Sequence, residues 1–439
     1  MRRLTSFLTL AALAATATLA FAAVPIPAPP QDKPIALVGA TIHTIDGADI
    51  ANGTIVFSGG KITAIGAGVD VPADAERIDV SGKHVYPSMI DAGTSMGLLE
   101  VSSVRATNDM AETGSINPNV KAEVAVHPES EMIPVTRSNG VLLVLTSPTG
   151  GVISGTSAFL RLDGWTWEDL THTAPISMHL NWPRMRPVTS WWNQDSDETQ
   201  LERRDEQLKT VRQAFADARA YWTAKKAGGA ALEFDSRWEA MIPVLEGRLP
   251  VMVESDDIQQ IQAVIAFAEA EKIKIIIRGG YDAPLCAELL KKNNIPVIVD
   301  GIHRLPTRDD EPYDTPFTVP ERLRAAGVKY CIASGGRDAS NVRNLPYHAA
   351  TAASYGLPRD EALKALTLYP AQILGLAERV GSLTVGKDAT LFVADGDILE
   401  IPTQVEHAFI DGRKIDLTDK QKVLWEKYKE KYRRMGIQN

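Results

Sequence analysis

Cysteine is scarce in this sequence: 439 residues carry only Cys286 and Cys331. Two thiols make no disulfide framework. Cys286 falls in a helical pattern and Cys331 in a strand pattern, so both read as buried free thiols rather than a bridge or a nucleophile. Positive charge is also in deficit, with a formal net charge of -9, which argues against nucleic acid or an anionic membrane as the main partner. After the N-terminal segment no apolar run is long enough to span a bilayer. No Gly-x-Ser-x-Gly elbow occurs, so a serine hydrolase is unsupported. Walker and dinucleotide fingerprints are missing as well. His127, His179, His303, His348 and His407 show neither His-x-His nor i, i+4 spacing, so they do not form a zinc pattern.

What is present divides the chain into stretches of different character. Arg2 and Arg3, an apolar run to Phe21 and the small-x-small site Ala20-Phe21-Ala22 predict a secretory signal peptide over 1–22 and a periplasmic or secreted protein. Residues 23–34 read as a stiff, proline-rich linker. Short β-rich runs punctuated by Gly47, Gly59, Gly60 and Gly66 predict a small β-sandwich from 35–85, completed by strands in 381–416. Between them, over 86–380, continuous apolar runs alternate with helical patterns. Examples are Val141 to Leu145, Lys274 to Ile277 and Tyr330 to Ala333. Such runs suit strands covered on both faces, and the alternation predicts an α/β fold, a (β/α)₈ TIM barrel. Residues 182–230 break the rhythm. Trp182, Trp191, Trp192 and Trp222 flank a long polar helix there, read either as a lid or as a helix packed outside the barrel. Residues 417–439 predict a charged, solvated helical tail.

Two blocks of sequence resemble the amidohydrolase superfamily, and within it the imidazolonepropionase-like group. The first comprises Ile42 to Gly47, Gly60 to Gly66 and Gly82 to Ala92. The second comprises Ala362 to Thr367, Pro370-Ala371, Leu374-Gly375, Gly381 to Leu383, Gly386 to Ala389 and Asp411 to Arg413. The resemblance implies hydrolysis of non-peptide C–N bonds. It also implies a divalent metal such as zinc at the C-terminal mouth of the barrel, polarising a carbonyl and activating water. Its implied ligands are a His-x-His pair after strand 1, His residues on strands 5 and 6, an Asp on strand 8 and, in some members, a strand 4 residue. Here Gly93 and Ser95 stand at the first pair, Glu254 at strand 5, Arg278 at strand 6 and Gly335 at strand 8. Gly has no ligating side chain and Ser is a poor zinc ligand. No metal cofactor is therefore expected, with Asp338 left as a residue able to compensate.

The replacements carry charge. Glu254, Arg278 and Asp300 fall near strand C-termini, with His303 just beyond, and these four are the candidate catalytic residues. Arg278 is expected to pair with Glu254 or Asp300 in place of the metal's charge. That leaves either a structural ion pair or a pocket for an anionic or carbonyl ligand. His179 is a further candidate. Glu100 to Glu112 (with Thr107, Asp109 and Glu112) and the Gly-rich run Ser147 to Ser157 are expected to line the mouth, the latter as a tight turn or an N–H cradle. The functional expectation is an exported amidohydrolase-fold protein that binds a small molecule or a protein partner without metal-dependent hydrolysis. The alternatives are a hydrolase with a relocated or metal-independent site, or a subunit of an oligomeric assembly.

Overall fold

The computed structural model describes residues 26–190, 193–228, 233–335 and 339–437. The signal-peptide expectation, Trp191, Trp192 and Asp338 lie outside the described residues. The strands, in chain order, are β1 (Ile35–Ile42), β2 (Ile50–Ser58), β3 (Lys61–Gly66), β4 (Glu76–Asp79), β5 (His84–Pro87), β6 (Met89–Thr94), β7 (Val141–Thr146), β8 (Ile153–Thr156) and β9 (Ala158–Arg161). Then come β10 (Thr171–Thr173), β11 (Met178–Asn181), β12 (Val251–Ser255), β13 (Ile275–Gly279), β14 (Val297–Asp300), β15 (Tyr330–Ala333), β16 (Leu391–Ala394), β17 (Val405–Ile410) and β18 (Arg413–Lys414).

One sheet draws on both ends of the chain, in the order β18-β17-β16-β5-β1-β2-β3, with β4 added beside β1. Its join is the antiparallel pairing of β16 with β5, Phe392 opposite Tyr86. Leu37, Ile55, Phe57, Leu391 and Phe409 form its core, and Phe57 meets Phe409 edge to face at 5.0 Å.

The middle of the chain forms two further sheets, β10-β9-β7-β6 and β15-β14-β13-β12-β11-β8. From β11 to β15 every neighbouring pair is parallel, and helices Ile258–Glu271, Ala287–Lys292 and Thr315–Ala325 fall between successive strands from β12 to β15. β6 pairs with β7 in parallel and lies against β15. Side chains alternate as a pleat requires. Ile90, Ala92, Leu143, Leu145, Met252, Ile276, Ile298, Cys331 and Ala333 share one core. Val141, Val144, Val251, Val253, Ile275, Ile277, Val297 and Val299 face the helices in another. The turn after β12 is tight. After β12 the Asp257 carboxylate accepts from Gln259 N and Gln260 N, and Gln260 returns a bond to the Asp257 backbone. This capping box starts the next helix immediately beyond the strand end.

One stretch differs from its expected form, and another takes the second of its two expected forms. The Gly-rich run does not stay a loop: Ile153–Thr156 is strand β8, antiparallel to β11, and the following β9 is antiparallel to β7. The close pass is possible at Gly155, where φ is +124° and a Cβ would stand 2.5 Å from the Val120 carbonyl oxygen. The long helix Asp197–Lys226 packs outward, with Phe215 edge-on to Phe267 at 5.1 Å and Arg219 paired to Glu271 on helix Ile258–Glu271. Trp182 packs on the same Phe267. The tail helix Lys420–Arg434 buries no residue. Among the described residues no helix is long and apolar enough to cross a membrane. Cys286 and Cys331 are buried and unbridged.

Candidate functional site

The polar side chains at the strand C-termini form a layer above the apolar floor of Met252, Ile276, Ile298 and Cys331. Parity puts them there: each stands two residues along its strand from a floor residue and so points the same way. Glu254 follows Met252, Arg278 follows Ile276, Asp300 follows Ile298. At the centre is Arg278. Its Nη2 lies 3.3 Å from Asp300 Oδ2 and donates to the Gly93 carbonyl oxygen at 3.2 Å. The room for it comes from Gly93. A Cβ at that position would sit 3.1 Å from Arg278 Nε and 3.3 Å from Cζ. Arg278 Nε, Asp300 Oδ1 and Thr94 Oγ1 are buried there with no protein partner.

The expected choice between two carboxylates is resolved in favour of Asp300. Glu254 is exposed and acts on Arg278 only through its field. The reason is stagger: Glu254 sits directly beside Arg278 in register, whereas Asp300 lies two residues further along β14 than Ile298, Arg278's register partner. The guanidinium reaches forward to it.

The layer shifts the proton affinities of its members. Burial works against the Arg278 charge, but Asp300, Glu254 and Asp91 more than offset this and hold its pKa above the ordinary arginine value. Burial raises Asp300 to about 6, with Arg278 opposing the rise and Asp91 and Glu254 adding to it. Burial likewise raises Asp91, against hydrogen bonds from Ser334 and Gly93 N. His179, on β11, is lowered to about 3 by burial and then by the Arg278 charge, so it is neutral. Its Nε2 meets Ser177 Oγ at 3.2 Å, and that hydroxyl meets Ser157 Oγ at 2.8 Å.

His303 does not join the layer. Its Nε2 meets Thr351 Oγ1 at 2.8 Å and its ring stacks on His348 at 4.1 Å, because the turn after β14 carries it toward helix Leu345–Ser354. Arg304 and Arg308 of the same loop bind Asp256 and Asp282 at the ends of β12 and β13. The Gly-rich run presents carbonyls rather than N–H groups: Asn181 Nδ2 donates to the Gly150 and Gly151 oxygens at 3.1 and 2.9 Å. Asp109 and Glu112 are exposed, and Thr107 Oγ1 donates to the Val101 and Val104 carbonyls. His172, which no spacing singled out, is buried with its Nε2 3.0 Å from Asp388. It joins β10 to the two-ended sheet rather than to this layer.

Gly335 has no room for a side chain at all. With φ at +72°, its Cβ would lie 2.6 Å from Gly301 Cα, since the turns after β14 and β15 cross at these two glycines.

Known proteins match this architecture. The Amidohydrolase family model matches residues 253–415. A crystal structure of an amidohydrolase from Thermotoga maritima superposes with a TM-score of 0.77 at 25% identity, covering 87% of this chain and 99% of that one. A putative prolidase from Bifidobacterium longum gives a TM-score of 0.53 at 17% identity over 91% of this chain and all of its own, a likeness of fold alone. The amidohydrolase tasK of Hapsidospora irregularis is 23% identical over 370 residues, 78% of this chain. The chain spans only 37% of that relative's length. The fold is thus of a hydrolase-like α/β class. Residues 253–415 are similar to the Amidohydrolase family, and the chain shares its fold with solved amidohydrolases.

The donor set does not fit the metal that the superfamily implies. Gly93 and Gly335 offer no side-chain donor, and Arg278 brings a fixed cation where a metal ligand would stand. Among the described residues no group of three or more His, Cys, Asp or Glu side chains is arranged to hold an ion.

Proposed function

We propose that this protein is a degenerate amidohydrolase-fold protein that binds a small molecule at Arg278 instead of hydrolysing one on a metal. The observation that carries the reading is the guanidinium standing in the space Gly93 leaves free, with Nε unpaired beside a half-paired Asp300. In this reading the segments β6, β7, 153–161 and β11 to β15 are the eight staves of a barrel, and its C-terminal mouth is the binding end. An arginine fork suits a planar acceptor such as a carboxylate, imide or amide carbonyl. Asp300, with its open Oδ1, suits an N–H of the same ligand. Export to the periplasm or outside the cell, from the basic-apolar start of the chain, belongs to the same proposal.

One observation favours metal-independent hydrolysis as a second reading. A carboxyl group whose pKa is raised to about 6 exchanges protons near neutral pH, as a general base must. Asp300 would take a proton from water while Arg278 stabilised the negative charge growing on the attacked carbonyl oxygen. Calorimetric titration with succinimide and N-acetylglycine, on wild type and Arg278→Met, tests the binding reading. Binding that is lost in the variant supports it, and binding of equal strength in both sinks it. Release of product from either compound, abolished by Asp300→Asn, would favour hydrolysis instead.

A further inference from the structure

A large cavity lies not at the mouth but at the opposite end of the strands. It measures about 1190 Å³, and its lining includes the residues just before four adjacent parallel strands: Pro250, Lys274, Pro296 and Lys329. Lys274 and Arg278 are at opposite ends of β13, roughly 13 Å apart at about 3.3 Å per residue. The cavity is therefore separate from the Arg278 layer. Pockets that hold drug-sized ligands measure about 300–1,000 Å³, so the volume is ample for a small molecule.

The lining has two chemistries. Its wall is apolar, with Ile273, Ile295 and Val328 buried and Ile373 beside them. Tyr330 also lines it, 3% exposed and with a hydroxyl that has no protein partner. Its rim is cationic. Of the lining cations, Arg248 is paired to Glu246 and Arg324 to Glu321. Lys329 Nζ donates only to the neutral Asn294 Oδ1 at 3.0 Å. Among the described residues Lys272 and Lys274 have no carboxylate partner. Against these three ammonium charges, the lining carboxylates are Glu361, already bound by Lys364 and the Tyr369 hydroxyl, and Glu269. An apolar wall with a net positive rim selects an anion on an apolar body: burial of the body supplies most of the affinity, and the rim supplies orientation.

We propose that this cavity is a ligand site, separate from the mouth, for the carboxylate of a small apolar molecule such as a medium-chain acid. The test is calorimetric titration of the full chain with decanoate, kept below its micelle concentration, with decanol and inorganic phosphate as controls. Saturable binding of one decanoate per chain is expected, with decanol at least tenfold weaker and phosphate unable to displace decanoate. Lys274 and Lys329 are exposed, so Lys274→Glu/Lys329→Glu should weaken decanoate at least tenfold and leave the melting temperature in place. Arg278→Met should bind decanoate as wild type does. The proposal is overturned by the absence of saturable binding, by equal affinity in the charge-reversed variant, by displacement with equimolar phosphate, or by loss of binding in Arg278→Met. The last result would move the anion to the mouth.

Discussion

The Arg278 guanidinium fills the space that a side chain at position 93 would need: a Cβ built on Gly93 lies 3.1 Å from Arg278 Nε. The two residues are therefore one feature. A side chain at 93 would press on the guanidinium and require it to move by at least a few tenths of an ångström, so the two positions are sterically coupled.

Gly93→Ala should destabilise the protein by about 1–3 kcal/mol, the usual cost of overpacking. In an Arg278→Ala background the same substitution should cost less, with a coupling of roughly 0.5–3 kcal/mol. Urea unfolding of the four proteins measures this. Additive effects would mean that the two positions do not contact.

Arg278→Ala should cost about 3–5 kcal/mol because it strands the Asp300 carboxylate, toward the lower end because Asp300 can take up a proton instead. Glu254→Ala should change stability by no more than about 0.5 kcal/mol, as for an exposed residue outside any pair. Comparable losses in the two variants would show that Glu254, not Asp300 alone, holds the guanidinium.

The pH dependence has a definite sign. Burial raises the folded pKa of Asp300 to about 6 from its ordinary 3.8, so the folded state keeps its proton longer. Its contribution is full below about pH 4 and lost as pH rises through about 6, a change of about 3 kcal/mol at most. His179 acts oppositely. Lowered from 6.5 to about 3, it contributes stability present above 6.5 and lost as pH falls toward 3. Asp300→Asn isolates the first effect: between pH 4 and 7 the wild type should lose roughly 2–3 kcal/mol relative to the variant. A difference that does not vary with pH would contradict the burial of Asp300.

Gly335→Ala should destabilise by about 2 kcal/mol or more, from a left-handed backbone and a 2.6 Å approach to Gly301 Cα acting together. Thermal unfolding of this variant reads the crossing of the two turns directly. A wild-type melting temperature would show that position 335 has room for a side chain after all.

How much of this was legible in the sequence depended on what fixes each residue's direction. Strands such as Val141–Thr146 are readable because burial on both faces demands an unbroken apolar run. Gly93 and Arg278 are readable because strand pleat and neighbouring motifs set their register. Arg278's partner was not, since Glu254 and Asp300 both end strands and only the stagger of β13 against β14 chooses between them. Nor was the direction of His303, decided by a helix some forty residues later in the chain. The antiparallel β8 and β9 hide in a Gly-rich stretch whose local signal is a turn. His172 has no spacing motif, because its partner Asp388 arrives from the other end of the chain.

The most direct test is the metal content of the purified full-length protein, measured by elemental mass spectrometry after expression with zinc and manganese supplied. The Gly93–Arg278 arrangement predicts well under one-tenth of a metal ion per chain, unchanged in Asp300→Asn. A ratio near one per chain, lost on mutation of Glu254 or Asp300, would contradict it and return the site to metal-assisted hydrolysis.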